Sequence, residues 1–127
     1  LPATAPLRAA GDVEKVLEKQ ANTEADLVVT YAELPSNPSF TTVNVDKDGW
    51  ISGLEALATN QFTRRQQLPP QHKIVPVAYA ATVSHVLGCE SLFRGSVAGV
   101  LVPWERSVDI DTEFDFQMAE LLCTDRP

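Results

Sequence analysis

Cysteine is scarce in this 127-residue sequence, and that scarcity removes two classes of protein. Cys89 and Cys123 are too few for a disulfide scaffold and too far apart for a CxxC metal or redox motif, so they either pair with each other or are buried thiols. Basic residues are also in deficit. Ten Lys and Arg stand against seventeen Asp and Glu, a net charge near −7. A surface of that sign repels phosphate backbones, which excludes nucleic acid as a partner and points to cations and basic proteins. No uncharged run is long enough to span a bilayer. The stretch Ile74 to Cys89 is sixteen residues interrupted by Pro76, Ser84 and His85, against the roughly 20 apolar residues a spanning helix needs, and it reads as a buried helix, with membrane contact disfavoured. Nucleophile-elbow, P-loop and GxGxxG patterns are absent, and His72 and His85 have no zinc-like spacing. These absences favour a non-enzymatic protein.

What remains is a globular composition, 44% hydrophobic and 21% charged, with room for one domain or two small lobes sharing a core. The chain starts at Leu1 with an Ala/Pro-rich, extended segment, and the missing initiator Met suggests processing, as in secreted or organellar proteins. Gly11-Asp12 then opens a helix in which Val13, Val16 and Leu17 share a face. Asp26 to Leu34 is apolar enough for a strand. Ser52 and Glu55 form a capping box at the head of a helix that runs to Leu68-Pro69-Pro70, and this double proline divides the chain into parts 12–66 and 71–124.

The sharpest motif is Asn44-Val45-Asp46-Lys47-Asp48-Gly49-Trp50-Ile51-Ser52-Gly53-Leu54-Glu55. It places side-chain oxygens at positions 1, 3 and 5 (Asn44, Asp46, Asp48), glycine at position 6, a backbone carbonyl at Trp50, Ser52 at position 9 and a bidentate carboxylate, Glu55, at position 12. This loop resembles that of the EF-hand calcium-binding superfamily. Degenerate copies lie at 22–33, with Leu27 in place of the glycine, and at 109–120, with Phe114 there. The resemblance implies a mostly α fold, an EF-hand-like helix-loop-helix pair at 12–66 with a diverged second half at 71–124 packed on it. It also implies Ca²⁺ as the bound ion, held by Asn44, Asp46, Asp48, Trp50, Ser52 and Glu55.

Alternatives stay open at each copy. Asp-Lys-Asp-Gly is also ordinary turn chemistry between two strands. Residues 107–118 alternate apolar and acidic side chains, the period of a half-buried strand with an acidic face, which would make the fold α+β. Two functions follow: a non-enzymatic calcium-binding module, structural or regulating a protein partner, or an accessory subunit of a larger assembly, with membrane association left open, that docks through 74–89 and 97–104.

Overall fold

The computed structural model describes residues 1–35, 44–52 and 70–124. In chain order the elements are α1 (Ala10–Ala21), β1 (Leu27–Glu33), β2 (Asn44–Val45), β3 (Ile51–Ser52), β4 (His72–Ala81), α2 (Val83–Gly88), β5 (Val97–Leu101), a 3₁₀ turn (Trp104–Arg106) and α3 (Glu113–Thr124). The chain forms two compact units, 1–33 with 73–127, and 34–72.

The first unit is α/β, which corrects the mostly α expectation. Its sheet has the order β4-β1-β5. β1 and β5 are parallel, in a register that sets Leu27 beside Val97 and Tyr31 beside Leu101. β4 runs the other way: the amide of Thr82 donates to the carbonyl of Asp26, while Thr30, further along β1, bonds back to Val75 and Ala78. The sheet is therefore mixed. As the central strand, β1 has Leu27 to Thr30 and Ala32 all buried, the continuous run expected where both faces are covered. Val16, Ala25, Val28 and Ala78 form one apolar cluster, with Val13, Ala98 and Val100 packed against it, and Ala32, Val75, Val77 and Val102 form a second.

α1 begins within two residues of the expected start because Asp12 folds back on it, accepting from the Ala9 amide at 2.9 Å. Its buried face is narrower than the sequence suggests, since Val16 is buried and Leu17 is exposed. The N-terminal segment is structural and not merely extended. Ala5 and Leu7 are buried, Arg8 Nη2 donates to the Pro2 carbonyl, and Arg8 Nε donates to Val77 of β4 at 2.6 Å.

Residues 74–89 are not a helix. They supply most of β4 and then α2, with Thr82 capping α2 by accepting from the His85 amide. Pro76 cannot donate inside a helix, and β-branched Ile74, Val75 and Val77 suit a strand. Residues 107–118 are not a strand, nor is 109–120 a calcium loop. The segment runs through a short loop into α3, started by a capping box in which Thr112 Oγ1 accepts from the Asp115 amide and Asp115 Oδ2 accepts from Thr112 N at 2.8 Å. Phe114, assigned either to a core or to a degenerate turn, is exposed on α3. Residues 22–33 form no loop either, because Asn22 closes α1 and β1 takes up 27–33. Both cysteines are free thiols. No helix among the described residues is long and apolar enough to cross a membrane.

At the turn before β5, Gly95 has φ +95° and a Cβ there would sit 2.5 Å from Asp26 Oδ2. That carboxylate accepts from the amide and hydroxyl of Ser96, which hold its pKa below the ordinary value. Gly95→Ala is expected to break this clasp and loosen the start of β5. Amide exchange at Ser96 and Ala98 should accelerate while that at Ala78 does not.

Candidate functional site

In the second unit, the residues assigned to calcium form a β-hairpin. Asn44 pairs with Ser52 and Val45 with Ile51. The Gly49 amide donates to the Asp46 carbonyl and Gly49 has φ +87°, a four-residue turn closed by a left-handed glycine, as in three-residue hairpin loops. Asp46 Oδ1 accepts from the amides of Asp48 and Trp50 at 2.9 and 3.0 Å, so this oxygen organises the turn. The Trp50 carbonyl accepts from the Asp46 amide. Helix-loop-helix geometry is thus replaced by two antiparallel strands, because local Asp and Gly turn chemistry satisfies the backbone that an ion would otherwise organise. Glu55 lies outside the described residues.

A different set of carboxylates comes together in the first unit. Where β5 ends, the chain passes through the turn at Trp104–Arg106 and reaches Asp109 and Asp111 before α3. Lys73, Trp104, Asp109, Asp111 and Asp115 line one cavity of about 460 Å³. Its place beyond the carboxyl end of a parallel strand is where open α/β sheets present ligand-binding loops.

Three supports fix this loop. The Ile110 amide donates to the Thr4 carbonyl at 2.9 Å, tying it to the N-terminal segment. Arg106 Nη2 donates to Asp12 Oδ1 at 2.7 Å, tying it to α1. Asp115 Oδ2 accepts from Asp111 N as well as from the amide and hydroxyl of Thr112, so Asp115 is occupied in positioning its neighbours.

The electrostatics separate the acids. The Thr112 hydroxyl, then the Thr112 and Asp111 amides, hold the Asp115 carboxyl below its ordinary 3.8. Burial, and secondarily the charge of Asp109, raise the pKa of Tyr79 above its ordinary 10.0, so its phenol stays protonated at neutral pH. Asp109 Oδ1 is buried and has no hydrogen-bond partner among the described residues.

A lowered carboxyl pKa has a definite sign. The stabilisation from ionised Asp115 is complete above the unfolded-state value and is lost as pH falls through the lower folded-state value. Acid titration should therefore unravel the start of α3 below pH 3.8. The carboxyl carbon shift of Asp115 followed by NMR checks this, and Thr112→Val should move that midpoint upward.

No family model matches the chain. Curated proteins do. The chain is 26% identical over 126 residues to a post-translational flagellin modification protein B of Campylobacter coli, covering 99% of this chain and 52% of that protein. It is also 26% identical over 116 residues to an N-acylneuraminate cytidylyltransferase of Streptococcus agalactiae, covering 91% of this chain and 27% of that enzyme. The chain thus spans about half the length of the first and about a quarter of the second. One of these distant relatives is by name a cytidylyltransferase, and with the α/β sheet they overturn the EF-hand resemblance, the calcium-module function drawn from it, and the accessory-subunit alternative drawn from the apolar stretches.

Motif reading missed Asp109 and Asp111 as a candidate site, placing them only in a degenerate calcium loop or an acidic strand face. Its available signal was the T-x-x-D capping box at 112–115, which turns the preceding acids into a loop ahead of a helix.

Proposed function

We propose that this chain is part of a nucleotidyltransferase-like protein and that the cavity at Asp109 and Asp111 binds a cytidine nucleotide through a divalent cation. The observation that carries the reading is the convergence of four carboxylates (Glu105, Asp109, Asp111 and Asp115), Lys73 and Trp104 on one cavity at the end of β5. An acidic cavity repels a polyphosphate unless a cation lies between them. Asp109 Oδ1 is buried without a hydrogen-bond partner among the described residues, and those residues gather no group of three His, Cys, Asp or Glu side chains around a metal, so the chain would offer such an ion one or two carboxylates rather than a full cage. Magnesium commonly takes one or two carboxylates and completes its shell with water and substrate phosphate, where calcium asks for a fuller protein cage. The cation would neutralise charge on the transferring phosphoryl group. Lys73 is placed to hold a phosphate oxygen, and Trp104 to offer an apolar wall to a base. Under this proposal the chain contributes to an enzyme, where the sequence pointed to a non-enzymatic module. Its cation is Mg²⁺ at Asp109 and Asp111, where the sequence pointed to Ca²⁺ at 44–55.

The test is calorimetric titration of cytidine triphosphate with and without Mg²⁺, on the complete polypeptide that contains this sequence. Asp109→Asn and Asp111→Asn should each remove about 1.5–3 kcal/mol of Mg²⁺-dependent binding, roughly ten- to a hundredfold. Asp48→Asn, in the hairpin turn, should change nothing. Equal binding with and without Mg²⁺, or unchanged affinity in both cavity variants, refutes the reading.

A further inference from the structure

The sheet has two edges of unlike character. β4 carries Pro76, a residue that sheets confine to edge strands and bulges. β5, at the other edge, reads Val-Ala-Gly-Val-Leu, with no proline and no charge. Edge strands of free-standing sheets are normally blunted by charge, proline or a covering element, and parallel strands are normally buried within a sheet.

The direction of the β5 backbone groups follows from its bonds to β1. The Ser96 carbonyl accepts from the amides of Asp26 and Leu27, and the Val102 amide donates to the Tyr31 carbonyl. Alternation along a parallel strand then turns Ala98 and Val100 toward β1. Val97, Gly99 and Leu101 present their amides and carbonyls outward. Among the described residues nothing pairs with that row. Val97 and Leu101 are 43% and 54% exposed.

We infer that the outward edge of β5 pairs with a β-strand of the same polypeptide that lies outside residues 1–127. The occupant is argued from length: the curated relatives extend well past the matched region, which is 52% of one and 27% of the other. A strand from that remaining length pairs with Val97, Gly99 and Leu101 and carries the sheet beyond three strands. This does not rest on nucleotide binding. It can fail while the cavity still binds, or hold where the cavity does not.

Hydrogen–deuterium exchange by NMR on the complete polypeptide tests it. The amides of Val97, Gly99 and Leu101 should be protected to the same order as those of Ala98 and Val100. Leu101→Pro removes one outward donor and should lower the melting temperature more than Leu101→Ala, which keeps it. Any of four results overturns the inference: fast exchange confined to the three outward amides; protection that grows with protein concentration, which would mean a second copy; equal effects of the two variants; or a reading frame with no residues outside 1–127.

Discussion

Asp12→Ala is expected to lose about 3 kcal/mol of folding free energy, toward the low end of what breaking a buried ion pair costs. Its carboxylate accepts from the Ala9 amide through Oδ2 and from Arg106 Nη2 through Oδ1, so one truncation uncaps α1 and strands a guanidinium. The side chain of Asp12 is 2% exposed and that of Arg106 26%, so water recovers part of the loss at the arginine only. Arg106 Nε is already buried without a partner among the described residues, which leaves it little to fall back on. In a chain of this size the change corresponds to a fall of about 10 °C in melting temperature. Urea unfolding checks it, with the slope expected to hold while the midpoint drops. Arg106→Leu in the Asp12→Ala background should recover part of the loss, since the stranded charge is gone. A double variant no better than the single would assign the effect to the helix cap alone.

Thr30→Val should be nearly as damaging although it keeps the volume and shape of the side chain. Thr30 is fully buried in the central strand, where its hydroxyl donates to the Val75 carbonyl at 2.7 Å and accepts from the Ala78 amide at 3.1 Å. The hydroxyl therefore repairs the ladder beside Pro76, which has no amide to contribute. Valine removes the hydroxyl that serves a buried carbonyl and a buried amide, at about 1–3 kcal/mol for each group left without a partner. Thr30→Ser keeps the hydroxyl and loses one methyl group, about 0.8 kcal/mol. Denaturant midpoints ordered wild type, Ser, Val would confirm the assignment; a serine variant as unstable as valine would show that the methyl group matters more.

Local signals in the sequence carried α1 and β1. Asp12 beside the first apolar periodicity marks the helix start, and the strand expected within 26–34 spans 27–33. Local signals misled where two chemistries share one spelling. Asp-Lys-Asp-Gly serves a calcium loop or a hairpin, and the choice depends on whether Asp46 accepts from its own backbone, as it does. The alternation at 107–118 imitates a strand, yet Thr112 and Asp115 cap a helix across it. The uncharged run from Ile74 hid β4 because buried strands and buried helices share their apolarity. Least legible was the pairing of β1 with β5, whose register joins residues seventy positions apart, as Leu27 with Val97. The candidate cavity inherits that difficulty, because Lys73, Trp104 and Asp109 meet only once the strands are ordered.

The division of the chain at residues 33 and 73 also bears on how this molecule tolerates change in length. Since β1 and β4 are neighbours in the sheet, the polypeptide from 34 to 72 leaves the first unit after β1 and returns to it at β4. Closing a flexible loop costs entropy only as the logarithm of its length, about 0.6 kcal/mol for each doubling. A change in the overall length of 34–72 should therefore alter the cost of bringing β1 and β4 together only slightly, while a single residue added to the loop at 107–111 would shift Asp109 and Asp111 against Lys73. Length is tolerated in that connection and hardly at all beside the cavity.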